Sequence, residues 1–515
     1  EKFRAVRPGL LGARTHARTP TPMPLLGLVG ALVVVVAGAA RGADADAWRG
    51  RAIYQLLTDR FARDDPTDER PCDLRTYCGG TWRGAARELD YIADMGFDAV
   101  WISPYVANTP GGYHGYWQQD LYRVNEHFGG ADALRAFVDA AHERGMYVMM
   151  DVIANHMGPL DSSATPFARY APFNSSAHYH ACAACPRDNC QIADYTCLRD
   201  EIQLCRLAGL PDLNQTVPFV RDQLHRWVRD AVATYGFDGL RIDTVPEIDL
   251  AFWPGFRDAA GVYCVGEVFA DIECCKTYQQ PGDGLDAVLS FPKNWAMRDV
   301  FANARSMYHL RELFDAYNAF ADADLLGTFV DNHDIVRFLH LNGDRQRYKN
   351  ALAYTLYSRG IPIVYYGSEQ AFDGGDDPDN REPLWPTKYD RSGDLYGTVR
   401  ALVRYRQHAG VHAHPQVERY AADNVYAFTR GTTFVATTNV GADGADVRYT
   451  ITYHPYAPGD RLCNVLVPDA ADCVTVAAAN SFDLVLRRGE CKVFAPDADA
   501  RAFWRALGAQ TTVAQ

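Results

Sequence analysis

The feature that most constrains the fold is an alternation of short apolar β-type runs with amphipathic helical patterns, from about residue 50 to about residue 405. Such alternation is typical of a parallel sheet whose helices pack outside it. The expected strands are Ile53–Leu56, Ala99–Ile102, Tyr147–Ile153, Gly239–Asp243, Val262–Glu267, Ala287–Ser290, Gly327–Val330 and Ile361–Tyr366. Eight such strands predict an α/β fold that closes into a (β/α)8 barrel.

Two segments interrupt or follow this pattern. Residues 155–213, after the third strand, are rich in Cys, His, Tyr and Ser and are too long for an ordinary loop, so we expect an inserted subdomain. Alternating apolar stretches with Gly and Asp turns over 409–500 predict a C-terminal antiparallel β-sandwich. The barrel is therefore expected in two parts, 44–154 and 214–408, with 501–515 as a tail.

The start of the chain is expected to lie outside the fold. Residues 1–22 carry Arg among Pro and Gly, and we interpret them as an upstream non-structural segment. The apolar run after Met23 ends in small residues, which indicates a secretory signal peptide over 23–43. A retained signal anchor is the alternative, although the run is short for a full span. We expect a secreted or secretory-lumen protein without a stable membrane span. Asn174 and Asn214 lie in glycosylation acceptor sequences, and Asn214 is expected close to the active site.

Composition excludes several partners. Hydrophobic residues make up 48% of the 515 residues and charged residues 22%, as in ordinary globular proteins. With 64 acidic and 51 basic residues, the formal charge is -13, which repels phosphate backbones. We therefore expect no nucleic-acid partner, and we expect a monomer.

The chain contains 13 cysteines, which fits an exported protein with disulfides and leaves at least one thiol unpaired. Cys72 and Cys78 bracket a short loop, and five cysteines crowd the insert, where a zinc site is the alternative to disulfides. Cys264 lies on a predicted buried strand and is expected to be free, while Cys274 and Cys275 have no obvious partner. The cysteines expected to link the C-terminal domain are Cys463, Cys473 and Cys491.

Three carboxylates end or follow predicted strands, where barrels of this kind carry their chemistry. Alternation places Arg241 and Asp243 on the same side of their strand, so the cation is expected to keep Asp243 ionised, as a nucleophile at a sugar carbon requires. Glu267 has apolar neighbours that should raise its pKa and suit it as a general acid. Asp334 can oppose the positive charge of an oxocarbenium-like transition state.

Four ordered motifs carry a resemblance to the α-amylase superfamily, closest to its fungal-type α-amylases. They are Asp151–His156, Gly239–Asp243, Gly266–Val268 and Phe329–Asp334. Two further segments, Tyr113–Gln118 and Gly375–Pro378 with Arg381, are similar to substrate-binding segments of that family. The match extends from about Trp48 to near Pro496.

The resemblance implies retaining endo-hydrolysis of internal α-1,4-glucosidic bonds in starch, glycogen and malto-oligosaccharides. It implies Asp243 as the nucleophile of a covalent glycosyl intermediate, Glu267 as acid and then base, and Asp334 as transition-state stabiliser. The substrate contacts that it implies are His114, Tyr116, Trp117, His156, Arg241, His333, Asp377 and Arg381.

The resemblance also implies a structural calcium ion between the barrel and the insert. Asn155 and Asp212 match side-chain ligands, and backbone carbonyls near Gln203 and at Glu247 are expected to complete the site. Oxygen donors of this kind suit Ca²⁺.

The chain departs from the fungal-type pattern at Pro246 and Glu247, where those relatives commonly have Lys and then His. Pro246 offers no donor and Glu247 reverses the charge, so binding beyond the cleaved bond is expected to differ. Two alternative functions stay open. One is an exo-acting α-glucosidase or an α-glucan transferase on the same site, and the other is a non-catalytic glucan-binding protein.

Overall fold

The computed structural model describes residues 43–280, 283–468 and 472–513, and only the backbone of residues 509–513. The upstream segment 1–22 and the signal peptide 23–43, apart from its last residue, lie outside the described residues. Among the helices that the structure describes, none combines the length and the hydropathy that a bilayer crossing needs.

Eight parallel strands form the central sheet. They are β1 (Ile53–Gln55), β2 (Ala99–Ile102), β3 (Tyr147–Ile153), β4 (Gly239–Asp243), β5 (Tyr263–Gly266), β6 (Ala287–Val288), β7 (Gly327–Thr328) and β8 (Ile361–Tyr365). Their spatial order is β6-β5-β4-β3-β2-β1-β8-β7, and an isolated parallel bridge between Leu289 and Gly327 joins the two ends. The predicted barrel is confirmed, although five of its strands end earlier than the sequence suggested.

Helices separate the strands along the chain. They are Thr58–Phe61, Trp82–Arg87, Leu89–Met95, Gly130–Glu143, Pro218–Tyr235, Trp253–Ala260, Ile272–Tyr278, Phe291–Met297, Tyr308–Ala316, Phe338–Leu341, Arg345–Tyr357 and Asp394–His408, after an initial Ala45–Trp48. The loop after β2 also carries an antiparallel hairpin of Val106–Asn108 and Gln118–Val124. In Gly130–Glu143 the buried side chains include Leu134, Phe137, Val138 and Ala141, whose helical spacing gives one apolar face.

The interior of the barrel is apolar at one end and polar at the other. Side chains alternate along each strand, so Met149 and Asp151 of β3 point to the same side. At the amino-terminal end the Trp48 ring closes the barrel, and a Cβ on Gly239 would lie 2.7 Å from that ring, which explains the glycine. At the carboxyl end, Asp151 is the register partner of Arg241. The polar groups of three neighbouring strands therefore meet at one end of the barrel.

The insert between β3 and Pro218–Tyr235 contains little regular structure apart from the short helix Asp200–Leu204 and 3-10 turns. All five of its cysteines form disulfides: Cys182–Cys190, Cys185–Cys205 and Cys197–Cys274. Disulfides, not a zinc site, therefore hold this segment. Cys274, which had no obvious partner in the sequence, ties the insert to the helix after β5.

The C-terminal domain is a β-sandwich. Its strands are β9 (Gln416–Ala422), β10 (Val425–Arg430), β11 (Thr433–Thr437), β12 (Val447–Ile451), β13 (Arg461–Asn464), β14 (Cys473–Thr475), β15 (Phe482–Leu486) and β16 (Lys492–Pro496). The six-stranded sheet has the order β9-β10-β11-β16-β13-β14, and β12 pairs with β15 in a second sheet. Side chains of both sheets, among them Phe434, Leu484 and Phe494, form one buried core.

Two expectations for the C-terminal region are corrected. Most of residues 501–515 form the end of a helix, Asp497–Val513, and Phe503 packs edge-on against Tyr405 at 5.2 Å between ring centroids. Residues 501–508 therefore belong to a helix that packs on the protein through Phe503 and Leu507. Of the three cysteines expected to link this domain, Cys463 and Cys473 form a disulfide, whereas Cys491 is a buried free thiol.

The cysteine pattern predicts a thiol count. Cys72–Cys78 is the fifth disulfide, and the expected free Cys264 is confirmed together with Cys275 and Cys491. We expect three thiols per chain when the protein is unfolded in guanidinium without reductant, and none that reacts rapidly in the folded state, because all three are buried. A thiol-reactive chromogenic reagent measures both values. Cys491→Ser should lower the unfolded count to two, and an unchanged count would contradict the disulfide assignment.

Candidate active site

The centre of the site is the guanidinium group of Arg241, which is fully buried. Its Nη1 donates to Asp243 Oδ1 at 2.8 Å and to Asp151 Oδ1 at 2.9 Å. Its Nη2 lies 2.9 Å from Glu267 Oε2. One cation therefore holds three carboxyl groups, which come from the carboxyl ends of β3, β4 and β5.

Thr244 links the two predicted catalytic carboxyl groups to each other. Its backbone adopts a left-handed conformation, with φ of 49°, which a β-branched residue seldom takes. In this conformation its N–H donates to Glu267 Oε2 at 3.2 Å, and its hydroxyl donates to Asp243 Oδ2 at 3.2 Å. The unusual backbone conformation therefore positions Asp243 and Glu267 relative to each other.

Asp151 was not singled out from the sequence, although it opens one of the recognised motifs. Besides Arg241, it accepts hydrogen bonds from Trp101 Nε1 at 3.0 Å and from the Tyr116 hydroxyl at 2.7 Å. Its position two residues before the end of β3 is the same inward-facing position that Arg241 has on β4. Strand alternation was the signal that could have found it.

The charges of the site decide which carboxyl group holds a proton. Burial raises the pKa of Glu267 to about 8, Arg241 opposes the shift, and Asp243 and Asp334 add to it. Burial also raises the pKa of Asp243, to about 7, against the effect of Arg241. Arg241 was expected to keep Asp243 ionised, but the same cation is shared with Asp151 and Glu267. The pKa values of both carboxyl groups are raised, so the pair retains a proton near neutral pH.

Asp334 lies on the opposite side of the cleft, with 36% of its side chain exposed. Arg381 Nη2 lies 3.4 Å from its Oδ1, and His333 Nε2 lies 3.2 Å from its Oδ2. Desolvation opposes ionisation, but the nearby guanidinium groups of Arg381 and Arg241 lower the pKa of Asp334. Arg381 also pairs with Asp377 at 2.9 Å, so both predicted contacts flank this carboxylate.

Three histidines in the site are neutral. Burial lowers the pKa of His156 to about 4 and that of His333 to about 3, and it lowers the pKa of His114 well below the ordinary value. The Gln55 amide donates to His333 Nδ1 at 2.8 Å, so the neutral ring carries its proton on Nε2. Gln55 is a second residue that the sequence did not reveal. Neutral imidazoles can hydrogen-bond sugar hydroxyls without adding charge to the cleft.

Aromatic rings form one wall of the cleft. The ring of Tyr116 stacks on that of His333 at 5.3 Å, and its other neighbour, His114, lies 5.7 Å away between ring centroids. Trp117 meets His114 edge-on at 5.0 Å. The cleft has a volume of about 340 Å³, and the predicted site residues that line it are His114, Tyr116, Trp117, His156, Asp243, Glu267, Asp334, Asp377 and Arg381. Arg241 and His333 contact these residues from below.

The predicted cation ligands lie where the insert meets β3. Asn155 and Asp212 lie next to each other, because His156 and Asp212 form an isolated antiparallel bridge. One end of the Asn155 amide is 3.1 Å from the Glu247 carbonyl oxygen and 3.0 Å from Asp212 Oδ1. With nitrogen at that end, the amide donates to both. With oxygen at that end, three oxygens converge, as a calcium site requires.

The other groups near this site fit the same interpretation in part. Burial raises the pKa of Asp212 to about 7, and His180 Nδ1 lies 2.6 Å from its second oxygen. A cation would compensate the buried charge, so the donor set fits Ca²⁺. Gln203 lines a neighbouring cavity with His180, and in the described part of the chain no hydrogen bond joins its side chain to Asn155, Asp212 or Glu247.

A barrel with three carboxyl groups around an aromatic-walled cleft at the carboxyl ends of its strands defines the class of glycoside hydrolases. The sequence matches the family "Alpha amylase, catalytic domain" over residues 55–394. The chain belongs to this family and is an enzyme.

Individual relatives agree with the family. The chain is 35% identical over 482 residues to an alpha-amylase of Saccharomycopsis fibuligera, a match that covers 88% of this chain and 93% of that protein. It is 41% identical to alpha-amylase 1 of Lipomyces kononenkoae over 70% of this chain, which spans only 59% of that relative. The structure of an alpha-amylase from Malbranchea cinnamomea superposes with a TM-score of 0.82 at 39% identity, covering 89% of this chain and 99% of the other.

The oxygen cluster predicts that metal binding stabilises the fold. Calcium at 100 times its dissociation constant adds about 2.7 kcal/mol to the free energy of unfolding, so chelation should lower the thermal midpoint by several degrees and added Ca²⁺ should restore it. Differential scanning calorimetry measures the shift.

Asp212→Asn should abolish this response to calcium, because it removes the charged ligand. Asp132→Asn is the matched control and should keep the response, because the Asp132 side chain is 98% exposed. A calcium-dependent midpoint in Asp212→Asn equal to that of the native chain would contradict the site.

Proposed function

We propose that the chain is an endo-acting, retaining α-amylase that cleaves internal α-1,4-glucosidic bonds in starch, glycogen and malto-oligosaccharides. The observation that carries the proposal is that adjacent nitrogens of one guanidinium bind Asp243 and Glu267 at 2.8 and 2.9 Å. This shared partner keeps the two carboxyl groups close. Retaining enzymes place them about 5–5.5 Å apart, whereas inverting enzymes need about 6.5–9.5 Å to admit a water molecule.

In the first half of the proposed reaction, Asp243 Oδ attacks the anomeric carbon as Glu267 gives its proton to the departing glycosidic oxygen. Positive charge develops on the sugar ring, and the ionised Asp334 stabilises it. The raised pKa of Glu267 supports its role as the acid, because it keeps the proton available near neutral pH.

In the second half, Glu267 is a carboxylate and takes a proton from the incoming water. The water oxygen bonds to the anomeric carbon, the bond to Asp243 breaks, and Asp243 leaves as a carboxylate. Two displacements at one carbon retain the α configuration. The neutral imidazoles of His114, His156 and His333 and the ring of Tyr116 hold the sugar at the cleaved bond.

Endo-action is supported by the shape of the cleft. One cavity extends from Glu267 toward Trp117 and Asp377, and a second of about 510 Å³ extends from Glu267 past Pro246. A glucan can therefore extend on both sides of the cleaved bond. A pocket closed at one end would have supported exo-action.

The remaining parts of the proposal concern the metal and the setting. We propose Ca²⁺ at Asn155, Asp212, the Glu247 carbonyl and a carbonyl near Gln203, where it would join the insert to the barrel and supply no step of the reaction. Five disulfides in the described chain support secretion into an oxidising compartment. We propose that the secreted protein acts as a monomer.

The first test follows maltoheptaose digestion by proton NMR. We expect short α-anomeric products of mixed length in the first minutes. Early β-anomers would contradict a retaining reaction, glucose alone would indicate an exo-acting enzyme, and longer oligosaccharides would indicate a transferase. A native chain that binds starch without any product would be a binding protein.

Glu267→Gln should lower turnover of maltoheptaose by about 10⁴-fold or more while starch binding is kept, because the leaving oxygen loses its acid. An activated donor such as maltosyl fluoride needs no acid. With this donor we expect the variant to accumulate a glycosyl adduct on Asp243, which peptide mass spectrometry detects. Full turnover of maltoheptaose by Glu267→Gln would overturn the assignment.

The pH profile of kcat/KM tests the protonation states. Glu267 must be protonated, so activity should be lost as the pH rises through about 8. Asp243 must be ionised, so activity should also be lost as the pH falls through the pKa of Asp243, about 7.

The control for the alkaline limb is Glu247→Gln, because burial raises the pKa of Glu247 to about 8 as well. This variant should keep the limb if Glu267 causes it. Disappearance of the alkaline limb in Glu247→Gln would show that Glu247 causes it and would contradict its assignment to Glu267.

A further inference from the structure

Exposed aromatic rings lie where the insert meets the first turn of the helix Pro218–Tyr235. Phe219 in that turn is 43% exposed, and its ring stacks on that of His178 at 4.9 Å between centroids. Tyr122, which is 49% exposed, donates its hydroxyl to Gln223 Oε1 at 2.7 Å, one helical turn from Phe219. We call Tyr122, His178 and Phe219 the Phe219 surface. None of these three residues lines the catalytic cleft.

The rings of the Phe219 surface are held in place from below. Phe173 is fully buried, and it meets Phe219 edge-on at 6.4 Å and His178 at 6.1 Å between ring centroids. The Ser175 N–H donates to His178 Nδ1 at 3.3 Å, which sets the orientation of the imidazole ring. The exposed part of Phe219 is therefore a preformed apolar surface, and a ligand that covers it does not have to order it first.

A glycosylation acceptor sequence borders this surface. Asn174, Ser175 and Ser176 form the acceptor, and all three are exposed. Asn174 directly follows the buried Phe173, and Ser175 is the residue that binds the His178 ring. A sugar attached to the Asn174 amide would therefore begin within a residue or two of the rings. This neighbour in the chain is what identifies the occupant of the exposed aromatic surface.

We propose that Asn174 carries an N-linked glycan whose first N-acetylglucosamine packs on the Phe219 surface. The inference rests on the proposed secretion and on no step of the proposed reaction. In the modification, Asn174 Nδ2 bonds to the anomeric carbon of the sugar, and the bond from that carbon to a lipid-linked diphosphate breaks. The diphosphate leaves with the electron pair, and Nδ2 loses one proton. The donor is a lipid-diphosphate-linked oligosaccharide of the secretory pathway.

The chemistry of N-acetylglucosamine matches this surface. The C–H groups of one face of its ring and its acetyl methyl group are apolar and can cover an aromatic ring, while its hydroxyl groups stay in water. Asn174 belongs to the insert and Phe219 to a helix of the barrel. The sugar would therefore cover the junction of the two and protect the backbone of the insert there, in a segment that has little regular structure of its own.

The first experiment measures whether Asn174 is modified. The full chain is produced through the secretory pathway of a yeast, with Thr216→Ala to remove the other acceptor sequence, at Asn214. Enzymatic removal of the glycan in heavy-oxygen water converts a glycosylated asparagine to a labelled aspartate, which peptide mass spectrometry detects. We expect this label at Asn174. An Asn174 without it would overturn the proposal.

The second experiment measures the packing by NMR of the acetyl methyl group, after the glycan is trimmed to its first sugar. The ring of Phe219 should shift this methyl resonance upfield from its position in the free sugar. Phe219→Ala should abolish the shift. The matched control is Tyr453→Ala, because Tyr453 is another exposed aromatic residue, at 61%, in the C-terminal domain. This control should keep the shift, and a resonance at the free-sugar position before either substitution would overturn the packing.

Hydrogen exchange measures what the glycan does to the insert. Ser176→Ala removes the acceptor sequence of Asn174, whereas Ser176→Thr keeps it. We expect the amides of residues 175–179 to exchange about threefold faster in Ser176→Ala than in Ser176→Thr, because the sugar no longer covers them. Equal exchange rates in the two variants would contradict the packing.

Cleavage of maltoheptaose by the same native sample separates this inference from the proposed function. Cleavage by a chain without a glycan at Asn174 would overturn the glycan and leave the hydrolase intact. A glycan packed on Phe219 in a chain that cleaves nothing would overturn the hydrolase and leave this inference intact.

Discussion

The site depends on one buried cation shared by three carboxyl groups. Arg241 is enclosed by the barrel, and Asp151, Asp243 and Glu267 all lie within hydrogen-bond distance of it. A single positive charge cannot balance three negative ones in a desolvated space, so a proton must stay bound. Burial raises the pKa of Glu267, which supports Glu267 as the group that keeps it. Charge balance therefore supports the proposed division into one acid and one nucleophile, independently of the sequence motifs.

The insert forms part of the active-site cleft together with the barrel. It contributes Leu207, Ala208 and Leu210 to the cleft, and it is tied to the barrel at two separate places. At one place, the Asn155 amide lies against Asp212 Oδ1 and the Glu247 carbonyl oxygen, and at the other Cys197 reaches the helix after β5. A segment with so little regular structure has no large core of its own, so these cross-links take the place of packing.

Strand positions and the placement of Asp243, Glu267 and Asp334 at strand ends could be predicted from the sequence, because apolar runs and strand ends are local signals. The residues that contact these carboxylates could not be predicted from the sequence. Asp151 and Gln55 act through contacts that form only when distant strands become neighbours, and the pairing of Cys197 with Cys274 spans 77 residues. The C-terminal helix was not predicted for a similar reason. Phe503 packs against the distant Tyr405, and no local sequence pattern indicates this contact. The sharing of Arg241 likewise changed the expected ionisation of Asp243.

The barrel closes at a seam between β6 and β7, where strand pairing is weakest. β6 and β7 are two residues long, and within the described residues a single isolated bridge, between Leu289 and Gly327, joins them, whereas β3 and β4 form an uninterrupted ladder. Asp243 and Glu267 belong to β4 and to the residue after β5, while Asp334 follows β7, where the Asn294 amide donates to the carbonyls of Phe329 and Val330. Fewer strand hydrogen bonds hold this seam than hold the β3–β4 ladder, so we expect the barrel to open here first on unfolding.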